Sequence, residues 1–127
     1  MSDRELIIDI LHQIDNAIDK VLYRFAVVKT VSDFTDSPEG MEKLDSICML
    51  LIAIGESVKN IDKITGKSFL SQYDAVDWKG VKGMRDIITH HYFDIDAEAI
   101  YKVCRTHIPE LKELIGIIIS DYKRDLS

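Results

Sequence analysis

The sequence contains few of the residues that break, cross-link or separate structural units. Its 127 residues include two cysteines, two prolines and six glycines. Cys48 and Cys104 lie among apolar residues, which favours two reduced core thiols over a disulfide or a metal site. The glycines are scattered, and no repeat, low-complexity tract or Pro/Gly-rich linker is present. We therefore expect a single domain over residues 1–127.

Long apolar runs and an excess of basic residues are also missing. The longest apolar stretches, such as residues 47–54, fall far short of the roughly 20 residues that span a bilayer. The N-terminus lacks the basic, apolar and small-residue regions of a signal peptide, so we expect a cytoplasmic protein with no membrane partner. The formal net charge of −6 argues against a protein that coats nucleic acid by bulk attraction.

Helical periodicity runs through most of the chain. Ser2 and Glu5 have the spacing of a capping box at a helix start. Ser37 and Pro38 suit the N-cap and first position of a second long helix, which should end near residues 65–66. Apolar residues of the first helix recur at steps of three and four: Ile7, Ile10, Leu11, Ile14, Ile18, Val21, Leu22 and Phe25.

The second half of the chain has the same character. A third helix should begin near residues 77–78 and fade around His91, and Asp94 or Asp96 could cap the next one. Pro109 should kink or interrupt that last helix. No run of alternating polar and apolar residues predicts a strand. The short connections therefore indicate an all-α, antiparallel bundle of four to five helices.

Segment 78–92 differs from the other predicted helices. It holds two glycines, the only tryptophan and two of the four histidines, and its charge is +2 in a chain of −6. Each glycine costs a helix interior about 1 kcal/mol relative to alanine, but glycine lets a backbone or a phosphate approach closely. A basic, histidine-bearing segment in an acidic protein indicates a local anion site.

Arg85, His90 and Tyr92 of this segment cannot surround one ligand on a single regular helix. Arg85 and Tyr92 share a face, whereas Arg85 and His90 diverge by about 140° at 100° per residue. Either the helix unwinds at His90, or a second chain completes the site. A symmetric dimer that apposes two such segments would supply two arginines and two histidines.

An arginine and a histidine together suit the cleavage of RNA without a metal. Histidine can exchange a proton near neutral pH, and the guanidinium matches phosphate oxygens. Such a pair can activate a ribose 2′-hydroxyl and stabilise charge on the adjacent phosphate. The alternative is that Arg85 and His90 only cap and solvate a helix end.

The segment resembles the signature of the HepT-like branch of the HEPN (higher eukaryotes and prokaryotes nucleotide-binding) superfamily. The matching pattern reads Trp78-x-x-Val81-x-Gly83-Met84-Arg85-Asp86-x-x-Thr89-His90-x-Tyr92. On the preceding helix, Ile54-Gly55-Glu56 followed by Lys59 resembles the family's Gly-Glu element. With matching placement near both ends, the resemblance covers nearly the whole chain.

The resemblance implies a HEPN-like symmetric homodimer with a composite cleft. It implies a metal-independent endoribonuclease toxin, without a cofactor, whose antitoxin is a minimal nucleotidyltransferase of the MntA type. Arg85 would stabilise phosphate, His90 would act as general acid or base, and Tyr92 would accept AMP from the antitoxin. Asp86 would orient Arg85, and Glu56 would lie near the cleft. The alternative within the family is a non-catalytic module that binds nucleotide or the partner.

Two further candidates stay open at this point. His91 could be a second base or an exposed surface histidine. Asp45 and Glu56 are eleven residues apart and share one edge of the second helix. That edge could face water, or it could place both carboxylates in a cleft, where they would hold a cationic side chain.

Overall fold

The computed structural model describes residues 2–91 and 93–126, and these contain helices but no strand. Helix α4, which carries most of segment 78–92, covers thirteen residues and begins at the predicted position. A 3₁₀ turn at Leu70–Gln72 precedes it, and a π-helical turn at Val103–His107 joins the last two helices. The six α-helices within these two ranges are α1 (Asp3–Phe25), α2 (Ser32–Thr35), α3 (Pro38–Thr65), α4 (Trp78–His90), α5 (Ala97–Lys102) and α6 (Ile108–Leu126).

The long helices pack antiparallel. Near the end of α1, Arg24 donates from Nη1 to the carbonyl of Ser46, which lies early in α3, at 3.5 Å. Near the end of α6, the Tyr122 hydroxyl donates to the Arg4 carbonyl at the start of α1, at 3.1 Å. Helix α1 thus lies between α3 and α6, while α4 packs on α3. The prediction of an antiparallel all-α bundle is confirmed, and the homodimer stays a prediction.

Side-chain caps set the helix starts where the sequence predicted them. Ser2, Ser37, Asp77 and Asp96 each accept a hydrogen bond from the amide three residues later. A cap of this kind contributes about 1 kcal/mol because it satisfies an amide that has no partner inside the helix. At the other end of α3, Gly66 adopts a left-handed conformation with φ of 67°, as expected for a helix that ends on glycine.

The core is a single cluster of buried, mostly aliphatic side chains, chiefly from α1, α3 and α6, and it includes both cysteines. Burial raises the pKa of Cys48 to about 11 and that of Cys104 to about 12. Both thiols are free and buried, so the predicted placement of both cysteines in the core is confirmed. Large side chains with almost no exposure include Leu11, Ile14, Ile18, Phe34, Ile47, Leu51, Ile54, Ile61, Leu70, Ile108, Leu111 and Ile115.

The segment before α3 contains the single helical turn α2. Phe34 of this turn is fully buried, with its ring centroid 6.1 Å from that of Phe25. One turn is too short to produce a visible apolar periodicity. The burial of Phe34, a tertiary effect, fixes the conformation instead.

Pro109 interrupts the last helix as predicted, and the structure shows how. The π turn brings the Ile108 amide to the Val103 carbonyl, five residues back. The extra residue in this turn accommodates a proline that lacks an amide hydrogen and crowds the preceding turn. Helix α6 then continues to Leu126. None of the helices in the described ranges is long and apolar enough to cross a membrane.

Candidate active site

A close approach of two backbones places α4 against α3. A Cβ atom added to Gly55 would lie 3.0 Å from the Val81 carbonyl oxygen and 3.6 Å from the Arg85 amide nitrogen. Glycine at this position therefore lets α3 contact the backbone of α4 directly. This contact explains why a glycine precedes Glu56, and it brings the next residue of α3 to the arginine of α4.

Two carboxylates hold the guanidinium of Arg85. Its Nε lies 2.5 Å from Oε1 of Glu56, and its Nη1 lies 3.1 Å from Oδ1 of Asp86. A guanidinium has five N–H donors, and no described residue bonds Nη2. The side chains of Arg85 and Glu56 are each 43% exposed. The arginine is thus oriented from one side and open to an anion from the other.

Asp86 links this arginine to its surroundings. Its second carboxylate oxygen lies 3.8 Å from Nζ of Lys59 on α3. One turn later, the Thr89 hydroxyl donates to the Arg85 carbonyl at 2.8 Å. Lys59 and Thr89 both belong to the pattern that the sequence matched, and both contact the arginine or its carboxylate partner.

Trp78 anchors the beginning of α4. Its indole N–H donates to the Tyr73 carbonyl at 2.7 Å. The Tyr73 hydroxyl in turn donates to Oδ2 of Asp121 on α6, at 3.1 Å. Burial, and then the carboxylate of Asp121, raise the pKa of the Tyr73 phenol. Helix α4 therefore packs on α3, and Tyr73 connects its first residue to α6.

The histidines lie at the far end of α4. The helix is regular through His90, and both His90 and His91 are exposed. Arg85 and His90 therefore keep the divergence of about 140° expected for a regular helix, and one chain does not bring them together. His90 instead shares a face with Gly83, seven residues earlier. Tyr92, the predicted AMP acceptor, lies outside the described residues.

The two carboxylates of the second long helix have different environments. Glu56 contacts Arg85, as the cleft hypothesis required, whereas Asp45 is exposed and Met49 beside it is 72% exposed. After burial, the negative charge of Asp45 is the second cause of the raised pKa of Cys48. Only Glu56 of this pair therefore lies at the candidate site.

Sequence reasoning missed one ion pair that also fixes α4. Asp62 is 8% exposed, and its Oδ2 lies 2.6 Å from Nζ of Lys82. The available signal was the position of Asp62, four residues after the buried Val58 on the apolar stripe of α3. A carboxylate on a buried stripe needs a partner, and the basic segment 78–92 could supply it.

These features define a class: an all-helical HEPN-type bundle with an oriented arginine and a histidine on one helix. The family model described as Ribonuclease HepT-like matches residues 7–118. The chain belongs to this HepT-like family, so the resemblance read from residues 78–92 is confirmed.

Relatives of known description agree with this membership. One, named "Putative RNase MJ0127", from Methanocaldococcus jannaschii, is 31% identical over 91% of this chain and 86% of its own length. Another, "Probable ribonuclease HepT" from Thermococcus cleftensis, is 31% identical over 53% of this chain and 57% of its own length. No solved structure gives a significant match.

Proposed function

We propose that this protein is a metal-independent endoribonuclease, the toxin of a toxin–antitoxin pair. The observation that carries the proposal is the Arg85 guanidinium, which Glu56 and Asp86 orient while no described residue bonds its Nη2. It lies on the helix that ends with the exposed His90, in a chain of the HepT-like ribonuclease family. An oriented, exposed guanidinium is suited to a phosphate whose charge increases during reaction.

The chemistry follows from the two side chains. His90 removes the proton of a ribose 2′-hydroxyl, and the 2′-oxygen attacks the adjacent phosphorus. The bond between phosphorus and the 5′-oxygen breaks, and a protonated histidine or water delivers a proton to that oxygen. Arg85 stabilises the added negative charge on the phosphoryl oxygens. The products carry a 2′,3′-cyclic phosphate and a 5′-hydroxyl.

A symmetric homodimer would bring an Arg85 and a His90 side chain together. Arg85 and His90 lie on different faces of α4, so Arg85 of one chain and His90 of its partner would form each reacting pair. Ile87, between them in sequence, is 65% exposed, and Phe93 is 98% exposed. Apolar side chains of this size next to His90 suit burial against a second copy.

The proposed antitoxin is a minimal nucleotidyltransferase of the MntA type. It would transfer AMP to Tyr92: the phenolic oxygen attacks the α-phosphorus of ATP and pyrophosphate leaves. The added nucleotide, two residues from His90, would repel an RNA phosphate and fill the cleft. After co-expression with the antitoxin, the intact mass of the protein should show added AMP, and Tyr92→Phe should lack this addition. If Tyr92→Phe still carried AMP, the assignment of Tyr92 as acceptor would be refuted.

RNA cleavage by the purified protein in excess EDTA tests the proposal. We expect cyclic phosphate ends and a rate about 10²–10⁴-fold lower for His90→Ala, the usual contribution of a general acid or base. Wild-type cleavage by His90→Ala would refute the assignment. If the wild-type protein binds nucleotide or the antitoxin and never cuts RNA, the non-catalytic alternative is correct.

A further inference from the structure

A groove of about 570 Å³ lies beside the candidate site, between the end of α3 and the first turns of α4. Five lysines and two aspartates line it, a formal charge of +3 on a protein whose net charge is −6. Positive charge is therefore concentrated in one place. We call this feature the lysine groove, and its lysines are Lys59, Lys63, Lys67, Lys79 and Lys82.

The two aspartates do not neutralise the lysine groove. Asp62 pairs with Lys82, and Asp86 is shared between Lys59 and Arg85. The other three lysines are exposed and form no ion pair with any residue that the structure describes: Lys63, Lys67 and Lys79. Several ammonium groups around one concavity repel one another, and an anion that binds there relieves the repulsion.

The backbone around the lysine groove is also unusual. Lys67 has φ of 68° and is the only described non-glycine residue with a positive φ. This left-handed conformation is strained for a lysine, and it follows Gly66 at the end of α3, where the Lys67 amide donates to the Asp62 carbonyl at 3.0 Å. A glycine at position 67 would adopt the same backbone conformation without strain, so the fold alone does not explain why a lysine is present there.

Gly83, on the α4 side of the lysine groove, is likewise not explained by packing. It lines the lysine groove, and a Cβ atom added there would meet nothing within 4 Å. Alanine would favour the helix by about 1 kcal/mol, so neither packing nor helix stability explains this glycine. Without a side chain, the wall of α4 stays open to a close approach by a bound group.

The lining residues indicate which anion fits. Ammonium groups line the lysine groove, and none of the described residues that line it has an aromatic side chain on which a base could stack. Ammonium groups bind phosphates as point charges and do not read base edges. Asp86 connects the lysine groove to Arg85, and Gly83 lies on the same face of α4 as His90. The sugar-phosphate backbone of an RNA strand in the lysine groove would therefore lie next to the candidate site.

We propose that the lysine groove binds backbone phosphates of the RNA strand that flanks the cleaved bond, independently of base sequence. This inference rests on the proposed ribonuclease function and assigns a second contact to its substrate. The contact explains how an acidic protein holds RNA: the lysine groove supplies local attraction that the rest of the surface does not.

The test compares two triple variants of the full chain in binding to a 2′-O-methyl RNA oligonucleotide, which cannot be cleaved. The groove variant is Lys63→Ala/Lys67→Gly/Lys79→Ala, where glycine keeps the backbone at position 67. The control, Lys20→Ala/Lys102→Ala/Lys123→Ala, removes the same charge from exposed lysines outside the lysine groove. Fluorescence anisotropy over a salt series gives the affinity and its salt dependence.

We expect the groove variant to bind at least about tenfold more weakly, with a salt slope smaller by about 2, because each single-strand phosphate contact contributes about 0.7. The control should change affinity less than about threefold through long-range charge alone. Equal losses in both variants would overturn the proposal. The proposal would also be overturned if the groove variant bound RNA as the wild-type protein does but no longer bound poly-glutamate. That result would favour an acidic protein partner.

Cleavage assays separate this proposal from the ribonuclease assignment. The groove variant should cut a dinucleotide at the wild-type rate, because that substrate does not reach the lysine groove, and should cut long RNA at least about tenfold more slowly at low substrate concentration. If the wild-type protein cuts no RNA but the groove variant alone loses oligonucleotide binding, the lysine groove stands and the ribonuclease assignment fails. Cleavage of long RNA unaffected by the three substitutions overturns the lysine groove only.

Discussion

At the scale of single residues, the site is an arginine positioned by two carboxylates. Glu56 comes from α3 and Asp86 from the residue after Arg85, so the guanidinium is held both across helices and within its own. Both carboxylates also reduce the positive charge available to a phosphate. Their contribution is therefore orientation of the guanidinium, and we propose that Glu56 is a positioning residue whose effect on RNA would pass through Arg85.

Substitution of Glu56 should show this role in the kinetics. Glu56→Ala should lower kcat about tenfold to a hundredfold because the guanidinium loses its fixed orientation. Glu56→Gln, whose amide oxygen still accepts from Nε, should recover most of the rate. The KM for RNA should not rise in either variant, since a negative charge near the phosphate has been removed. Steady-state kinetics on a defined RNA measure both constants.

Asp45→Ala is the matched control, because Asp45 lies on the same helix, is exposed and does not contact Arg85. It should retain wild-type kcat and KM. The free energy of unfolding can be measured in urea by the fluorescence of Trp78. It should change by less than about 1 kcal/mol in all three variants, as expected for exposed ion pairs. An equal loss of kcat in Glu56→Ala and Glu56→Gln would contradict a positioning role by hydrogen bonding.

At the scale of helices, the contact of α3 with α4 decides where the arginine lies. Gly55 permits the approach, and the pair of Asp62 and Lys82 joins the same helices two turns further along α3. The composition of segment 78–92 predicted an unusual helix and its start at Asp77. It did not predict the partner helix residue by residue, because periodicity defines which face of a helix is buried and not what packs on it.

Gly55→Ala should destabilise the fold although alanine is the better helix former. The new methyl group would press on the Val81 carbonyl, and overpacking of this kind costs about 1–3 kcal/mol. Gly116→Ala is the matched control in α6, where an added Cβ meets nothing within 4 Å, so it should stabilise by up to about 1 kcal/mol. Urea unfolding measures the free energy of unfolding of both variants. If Gly55→Ala stabilised the protein as much as Gly116→Ala, the close contact at Gly55 would be contradicted.

At the scale of the whole molecule, the separation of Arg85 from His90 is the main constraint. A regular α4 places them on different faces, so one chain contains both groups without forming the proposed reacting pair. In the proposed homodimer, two chains related by a twofold axis would supply the pair twice. Net charge matters at this scale too, because a −6 protein needs a local basic surface to hold RNA.

Mixing two impaired variants tests the composite cleft. Arg85→Ala and His90→Ala should each have a strongly reduced rate, and a heterodimer of the two should contain one intact cleft. After subunit exchange, activity should therefore recover to at most about a quarter of wild type. Sedimentation should show dimers for both variants before mixing. No recovery in a mixture that has exchanged subunits would contradict a cleft shared between chains.

The sequence by itself determined the helical class, the capped starts at Ser2, Ser37 and Asp77, and the family signature. These depend on residues within a few positions of one another, whose local hydrogen bonds and periodicity can be read directly. Only the tertiary structure decided that Glu56, and not Asp45, meets Arg85, and that lysines of α3 and α4 share one groove. Those contacts join residues of different helices, and their geometry follows from how the two backbones pack at Gly55.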